Sequence, residues 1–215
     1  MKLIERTQYL NKLVRVIGTP DIKVITGVRR SGKSKLLEAF KAYIEKNIPD
    51  CNIIHINFNL PEYDHLLEYR PLYDFIKGQY VNGKQNFVFI DEVQMCADFE
   101  KAINGLHASE QFDIYITGSN AKLLSGELAT YLGGRYVEFV IYPFSFAEFL
   151  ELYRTIAPEA SGQQAFQKYL LAGGMPYLAN LRYAEEPSRQ YLTDVFNSVQ
   201  LKDVVKRNMV RDVDL

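Results

Sequence analysis

The sequence predicts an α/β protein of three layers, α/β/α, with a five-stranded, mainly parallel sheet followed by a small helical lid. Three observations carry that expectation. Five short apolar runs alternate with helical patterns, the arrangement that gives parallel sheets covered on both faces. The first run leads straight into Gly27-Val28-Arg29-Arg30-Ser31-Gly32-Lys33-Ser34, which satisfies the phosphate-cradling pattern G-x-x-x-x-G-K-[ST] without a mismatch. Beyond about residue 155 the strand-like runs cease and only helical spacing remains. The expected division is therefore residues 1–155 for the phosphate-binding domain and 156–215 for the lid and the start of a further, truncated region.

The elements follow in order. Leu10, Leu13, Val14 and Ile17 recur at helical spacing until Gly18-Thr19-Pro20 stops them. Residues 21–26 form the first strand, and the helix after the loop carries Leu36, Phe40, Tyr43 and Ile44 on one face. Pro49-Asp50 breaks the chain before a second strand at 52–58, whose His55, lacking partners at ligand spacing, is expected to be packed rather than metal-bound. Pro71 opens a helix through Leu72, Phe75, Ile76 and Tyr80, and Asn82-Gly83 turns the chain. Phe87 to Ile90 then read as a buried strand ending in Asp91-Glu92. Asp98 is placed to cap a helix through Phe99, Ala102, Ile103 and Leu106. The fourth strand, 114–116, ends in Thr117-Gly118-Ser119-Asn120. A short helix through Leu123, Leu124 and Leu128 leads to Gly133-Gly134-Arg135 and a fifth strand at 136–141. Ser145 and Glu148 make a capping box, with Phe144 and Phe149 spaced for the hydrophobic staple. Pro158 and Ser161-Gly162 interrupt the pattern; helices resume through 166–171 and from Ser188, where Leu192, Val195, Phe196 and Val199 share a face. The last residues, 203–215, carry no stop signal and no core for Val210 and Val213, which is why a truncated region is expected there.

Composition narrows the function classes. With 24% charged residues, 47% hydrophobic ones and a net charge of −1, the chain has the make-up of an ordinary globular protein and offers no basic excess to draw nucleic acid. Cys51 and Cys96 have neither C-x-x-C spacing nor clustered histidines, so they are expected to be reduced, buried thiols. No apolar run reaches signal-peptide or membrane-span length, so the cytoplasm is the expected compartment.

The chemistry expected of the loop follows from its residue types. Glycines let successive N–H groups turn around an anion, and the following helix aims its positive end at the same point. Gly27 through Ser34, with Lys35, are the expected ATP-binding residues; Lys33 reaches the β and γ phosphates and Ser34 ligates Mg²⁺. Asp91 is the second expected Mg²⁺ residue. Glu92 is the expected base that polarises the attacking water. At the end of the fourth strand, Thr117, Ser119 or Asn120 is a candidate to contact the γ phosphate or that water, with turn and cap chemistry as the alternative.

With these features in this order, the sequence resembles the AAA+ ATPases within the P-loop NTPases. More narrowly, G-V-R-R-S-G-K-S, F-I-D-E-V-Q, I-T-G-S-N, G-G-R, P-F-S-F-A-E-F and G-G-M-P resemble a widespread group of prokaryotic ATP-binding proteins whose members usually continue into a C-terminal domain of poorly defined function. The resemblance implies that Pro176, in Gly174-Met175-Pro176, packs near the adenine; a helix end at Gly173-Gly174 and a new start at Pro176 is the competing explanation. It also implies that Arg135, just before the fifth strand, acts as a finger in a neighbouring subunit and so makes a homo-oligomer the expected partner state, against an ion pair with Glu138. No clear lid arginine matches the γ-phosphate sensor of the superfamily, Arg182 being a poor candidate. The function implied is Mg²⁺-dependent ATP hydrolysis coupled to lid movement. Its competitor is a nucleotide-gated switch with little turnover acting on a protein client. A small-molecule kinase fits less well, because adjacent acids at a strand end favour water as the acceptor.

Overall fold

The computed structural model describes residues 4–119 and 132–199. Asn120, the expected short helix through Leu123, Leu124 and Leu128, and the chain end from 200 lie outside the described residues. Two compact units partition the chain, a sheet unit of Thr7–Gly27 and Lys33–Val140, and a helical unit that takes the chain start through Arg6, the loop Val28–Gly32, and everything described from Ile141 on.

In the sheet unit, β1 (Ile22–Thr26), β2 (Asn52–Asn57), β3 (Asn86–Asp91), β4 (Asp113–Thr117) and β5 (Tyr136–Val140) form one sheet of order β2-β3-β4-β1-β5. Every pairing is parallel. The acidic strand and the loop strand are thus separated by the strand ending at Thr117. β1, β3 and β4 are buried at every position, which is why they read as continuous apolar runs.

Alternation within these strands feeds two cores. Val24, Val88, Ile90, Ile114 and Ile116 meet Leu72 and Ile76 of α3 (Tyr69–Gly78) and Ile103 and Leu106 of α4 (Phe99–Ala108). On the opposite face Phe89 and Tyr115 pack on Phe40 of α2 (Lys33–Asn47), with ring centroids 6.0 and 4.9 Å away. Helix α1 (Thr7–Val14) buries Tyr9 and Leu13 and packs on α2. The expected three-layer fold is what forms. Asp98 occupies the N-cap of α4, but its side chain caps no N–H; it pairs with Lys101 at 2.5 Å instead. His55 is half-buried, edge-on to Phe89 at 6.4 Å. Cys96 is buried and its thiol is pushed up to about 12 by that burial, whereas Cys51 is only partly covered.

The helical unit takes up the chain again at Ile141. Helix α5 (Phe146–Ile156) sends Phe149 and Leu152 into a core with Phe144, Ala165, Leu178, Tyr183 and Tyr191, so it belongs with the helices after it. The capping box at its start forms as expected, Ser145 and Glu148 each satisfying the other's backbone. A second box appears at Ser161 and Gln164, so the interruption at Ser161-Gly162 is the start of α6 (Gly162–Ala172). Gly173 ends α6 at φ 74°, Pro176 opens a 3-10 turn (Pro176–Ala179), and α7 spans Glu185–Val199. The helix-end explanation of Gly173-Gly174 and Pro176 is therefore realised. Gly174 has a further reason to be glycine: a Cβ there would stand 2.1 Å from the Phe144 carbonyl oxygen, while Phe144 N–H donates to Gly174 O at 2.7 Å.

Candidate active site

Parallel strands deliver their C-terminal ends to one edge of the sheet, and there Thr26, Asp91 and Thr117 finish β1, β3 and β4. Lys33 opens α2 with its side chain buried, and its Nζ donates to Gly27 O at 2.9 Å. Asp91 and Thr117 are both buried; the Thr117 hydroxyl donates to Asp91 Oδ1 and accepts the Glu92 N–H at 3.1 Å. Two of the expected residues, adjacent at the end of β3, are thereby held by a third from β4.

Glu92 leaves the strand in the left-handed region, φ 57° and ψ 48°. That conformation costs a non-glycine residue about 1–2 kcal/mol. It turns the carboxylate toward Ser119, whose Oγ donates to Oε2 at 2.9 Å and Oε1 at 3.2 Å, and toward Gln94, whose Nε2 donates to Oε2. Gln94 is not among the residues the sequence singles out. Its signal is weak, a polar residue two positions after the acid, inside a 3-10 turn (Val93–Met95) that the apolar pattern does not mark.

Other expected residues go elsewhere. Lys35 is exposed and its Nζ pairs with Glu38 at 2.6 Å, which leaves its backbone as its contribution to the loop. Ser34 is the second residue of α2 and partly covered. Arg135 lies at the other edge of the sheet: Tyr136 is level with Ile22, and Asp91 is level with Thr117, Ile25 and Phe139, so Arg135 stands roughly 13 Å along the strands from Asp91, at about 3.3 Å per residue. Its proposed ion-pair partner, Glu138, instead accepts from Thr26 Oγ1 at 2.6 Å. Arg182 has a positive φ of 51° and its N–H closes a turn on Ala179 O.

The loop residues Val28–Gly32 form their contacts within the helical unit. Arg30 sits at φ 64° with its guanidinium 5.1 Å from the Tyr191 ring, and Pro176 Cγ is 3.9 Å from where a Cβ on Gly32 would be. Pro176 therefore lies against the phosphate loop. Arg29 Nε and Ser31 Oγ are buried and have no hydrogen-bond partner among the described residues. Orphaned polar atoms of that kind need an explanation, and a phosphate group, all acceptor oxygens, supplies what two donors lack.

A glycine loop after β1, a 2-3-4-1-5 parallel sheet and paired acids at the end of β3 define a P-loop ATPase of the AAA+ superfamily. The family model described as "AAA domain" matches residues 19–150, and the chain belongs to that family. An uncharacterised protein of Haemophilus influenzae is 38% identical over 99% of this chain and 53% of its own length, and one of Methanocaldococcus jannaschii is 31% identical over 99% and 48%. The chain thus spans about half the length of these curated relatives. Among solved structures, domain III of the replication initiation protein DnaA of Thermotoga maritima superposes with TM-score 0.54 at 16% identity, covering 99% of this chain and 95% of that one. The ORC1 protein of Aeropyrum pernix, in complex with DNA, gives 0.54 at 11%, covering 92% and 67%. DnaA bound to AMPPCP and single-stranded DNA gives 0.55 at 15%, covering 96% and 70%. At these identities the likeness speaks for the fold. No described helix is long and apolar enough to cross a membrane.

Proposed function

We propose that the chain is a Mg²⁺-dependent ATP-binding module that hydrolyses ATP and couples nucleotide state to movement of its helical unit. The observation that carries this is the hydroxyl of Thr117, which holds Asp91 and the backbone of Glu92 together at the edge where β1 hands the chain to the loop. Lys33, already buried with its Nζ on the Gly27 carbonyl, would exchange that acceptor for phosphate oxygens. Ser34 and Asp91 would hold Mg²⁺, which when bound neutralises charge on the phosphates. Glu92, oriented by Ser119, would take a proton from the attacking water. The fold neighbour that binds AMPPCP supports the choice of an adenine nucleotide.

Lys33→Ala and Glu92→Gln test the reading. The first should abolish ATP binding measured by titration calorimetry; the second should retain binding and lose turnover at least a hundredfold. Normal hydrolysis by Glu92→Gln would remove Glu92 from the base role.

A second reading has its own support. The Glu92 carboxylate accepts from both Ser119 and Gln94, which holds it in place and suits a nucleotide-gated switch with slow turnover. Arg135, at the far edge of the sheet, serves the chemistry only from a second copy, so the hydrolase reading also proposes a homo-oligomer. Turnover that rises with protein concentration and is lost in Arg135→Ala would support it.

A further inference from the structure

Arg6 is 5% exposed, an unusual burial for a guanidinium, and it stands at φ 47°. It lies in the first of the three chain segments that build the helical unit, and its donors reach the other two. Nε donates to Glu148 Oε1 at 2.9 Å and Nη2 to Glu148 Oε2 at 3.3 Å, a bidentate fork. Nη2 also donates to Tyr142 O at 2.8 Å and, at 3.5 Å, to Pro143 O. Nη1 donates to Ser31 O at 2.9 Å, inside the phosphate loop. The guanidinium carbon lies 5.3 Å from the Phe144 ring centre. Glu148, its ionic partner, is the same residue that closes the capping box of α5.

The Ser31 carbonyl is the informative contact. In a trans peptide the C=O and the next N–H point in opposite directions. A guanidinium that holds Ser31 O on one side therefore turns the Gly32 N–H to the other, and Gly32, at φ 102°, is the loop glycine that would offer that N–H to a phosphate. The loop has no regular secondary structure to fix that peptide plane; Arg6 supplies the constraint from outside.

We infer that Arg6 is a positioning residue of the phosphate loop: it sets the Ser31–Gly32 peptide for anion binding and ties that peptide, through Glu148 and Tyr142 O, to the start of α5. Nucleotide that pulls on the Gly32 N–H thereby pulls on the cap of the first helix of the helical unit. The inference rests on the ATP-binding reading above.

The test uses the whole chain with ¹⁵N-glycine, whose 13 glycines give a resolvable amide spectrum. In the wild type, ADP should move the Gly32 amide downfield. Arg6→Ala should bind ADP about tenfold more weakly and lose that shift, and millimolar guanidinium ion should restore both in part. Arg6→Lys keeps the charge but not the planar fork that spans Glu148 and Ser31 O, so it should fold, keep its pairing with Glu148 and still lose the Gly32 shift; it decides the matter if the alanine variant fails to fold. A variant that retains wild-type ADP affinity and the Gly32 shift overturns the inference. If the wild type itself binds no ADP, the ATP-binding reading falls instead, and the Lys33→Ala control separates the two.

Discussion

Thr117 ties the end of β3 to the end of β4 by donating to Asp91 while it accepts from the backbone of Glu92, so one hydroxyl orders the proposed Mg²⁺ residue and the proposed base, which are adjacent in sequence. Thr117→Val keeps the shape and deletes the hydroxyl. It leaves a buried carboxylate short of a donor and an N–H without an acceptor, a loss of about 1–3 kcal/mol. The urea midpoint should fall accordingly and turnover should drop, while Thr117→Ser restores both.

Ser119 acts on the carboxylate rather than the backbone. Because its hydroxyl bonds both oxygens of Glu92, Ser119→Ala should leave ADP affinity unchanged and lower kcat by about tenfold, the size of effect expected when a base loses its orienting hydrogen bond. Single-turnover hydrolysis with saturating ATP measures it. A rise in turnover would mean that Ser119 restrains Glu92, and would favour the switch reading.

Much of this edge was legible because its signals are local. The glycine loop, the apolar run into Asp91-Glu92 and the S-x-x-E box each occupy fewer than about ten residues and obey strict local rules. What stayed hidden is long-range. Arg6 meets Glu148 across 142 positions and Ser31 across 25, and no period links them. Gly174 reads as a helix stop, yet its lack of a Cβ serves the close approach of Phe144, visible only once the two segments pair. The core that Phe149 enters is long-range in the same way, since the capping box marks where α5 begins but not which residues it packs against.

Lys23 and Asp113 form a buried pair at the opposite edge, 2.6 Å apart, with Thr19 O, Gly18 N–H and the Tyr115 hydroxyl completing their bonds. Removing one charge strands the other. Asp113→Asn keeps an acceptor for Gly18 but leaves the Lys23 ammonium uncompensated, and should cost about 3–5 kcal/mol in urea unfolding. Adding Lys23→Met to that variant should recover a large part of the loss. ADP affinity should not move in the double variant, because the pair lies at the end of the strands remote from Asp91.

Glu148 gives the helical unit an acid sensitivity with a definite sign. Burial alone would raise its carboxyl, but the hydrogen bonds from Arg6 and the Ser145 N–H outweigh burial and hold it below the ordinary value of 4.5. A folded-state value below the unfolded one means stabilisation that is complete above about pH 4.5 and drains away as pH falls through the depressed value. Glu148→Gln retains a group able to cap Ser145 but cannot pair with Arg6 as an anion. Its stability deficit, followed by circular dichroism during urea unfolding, should be full at pH 7 and shrink progressively in acid, where the wild-type residue also becomes neutral. A deficit that stays constant from pH 7 down to acid would assign the loss to the cap rather than to the ion pair.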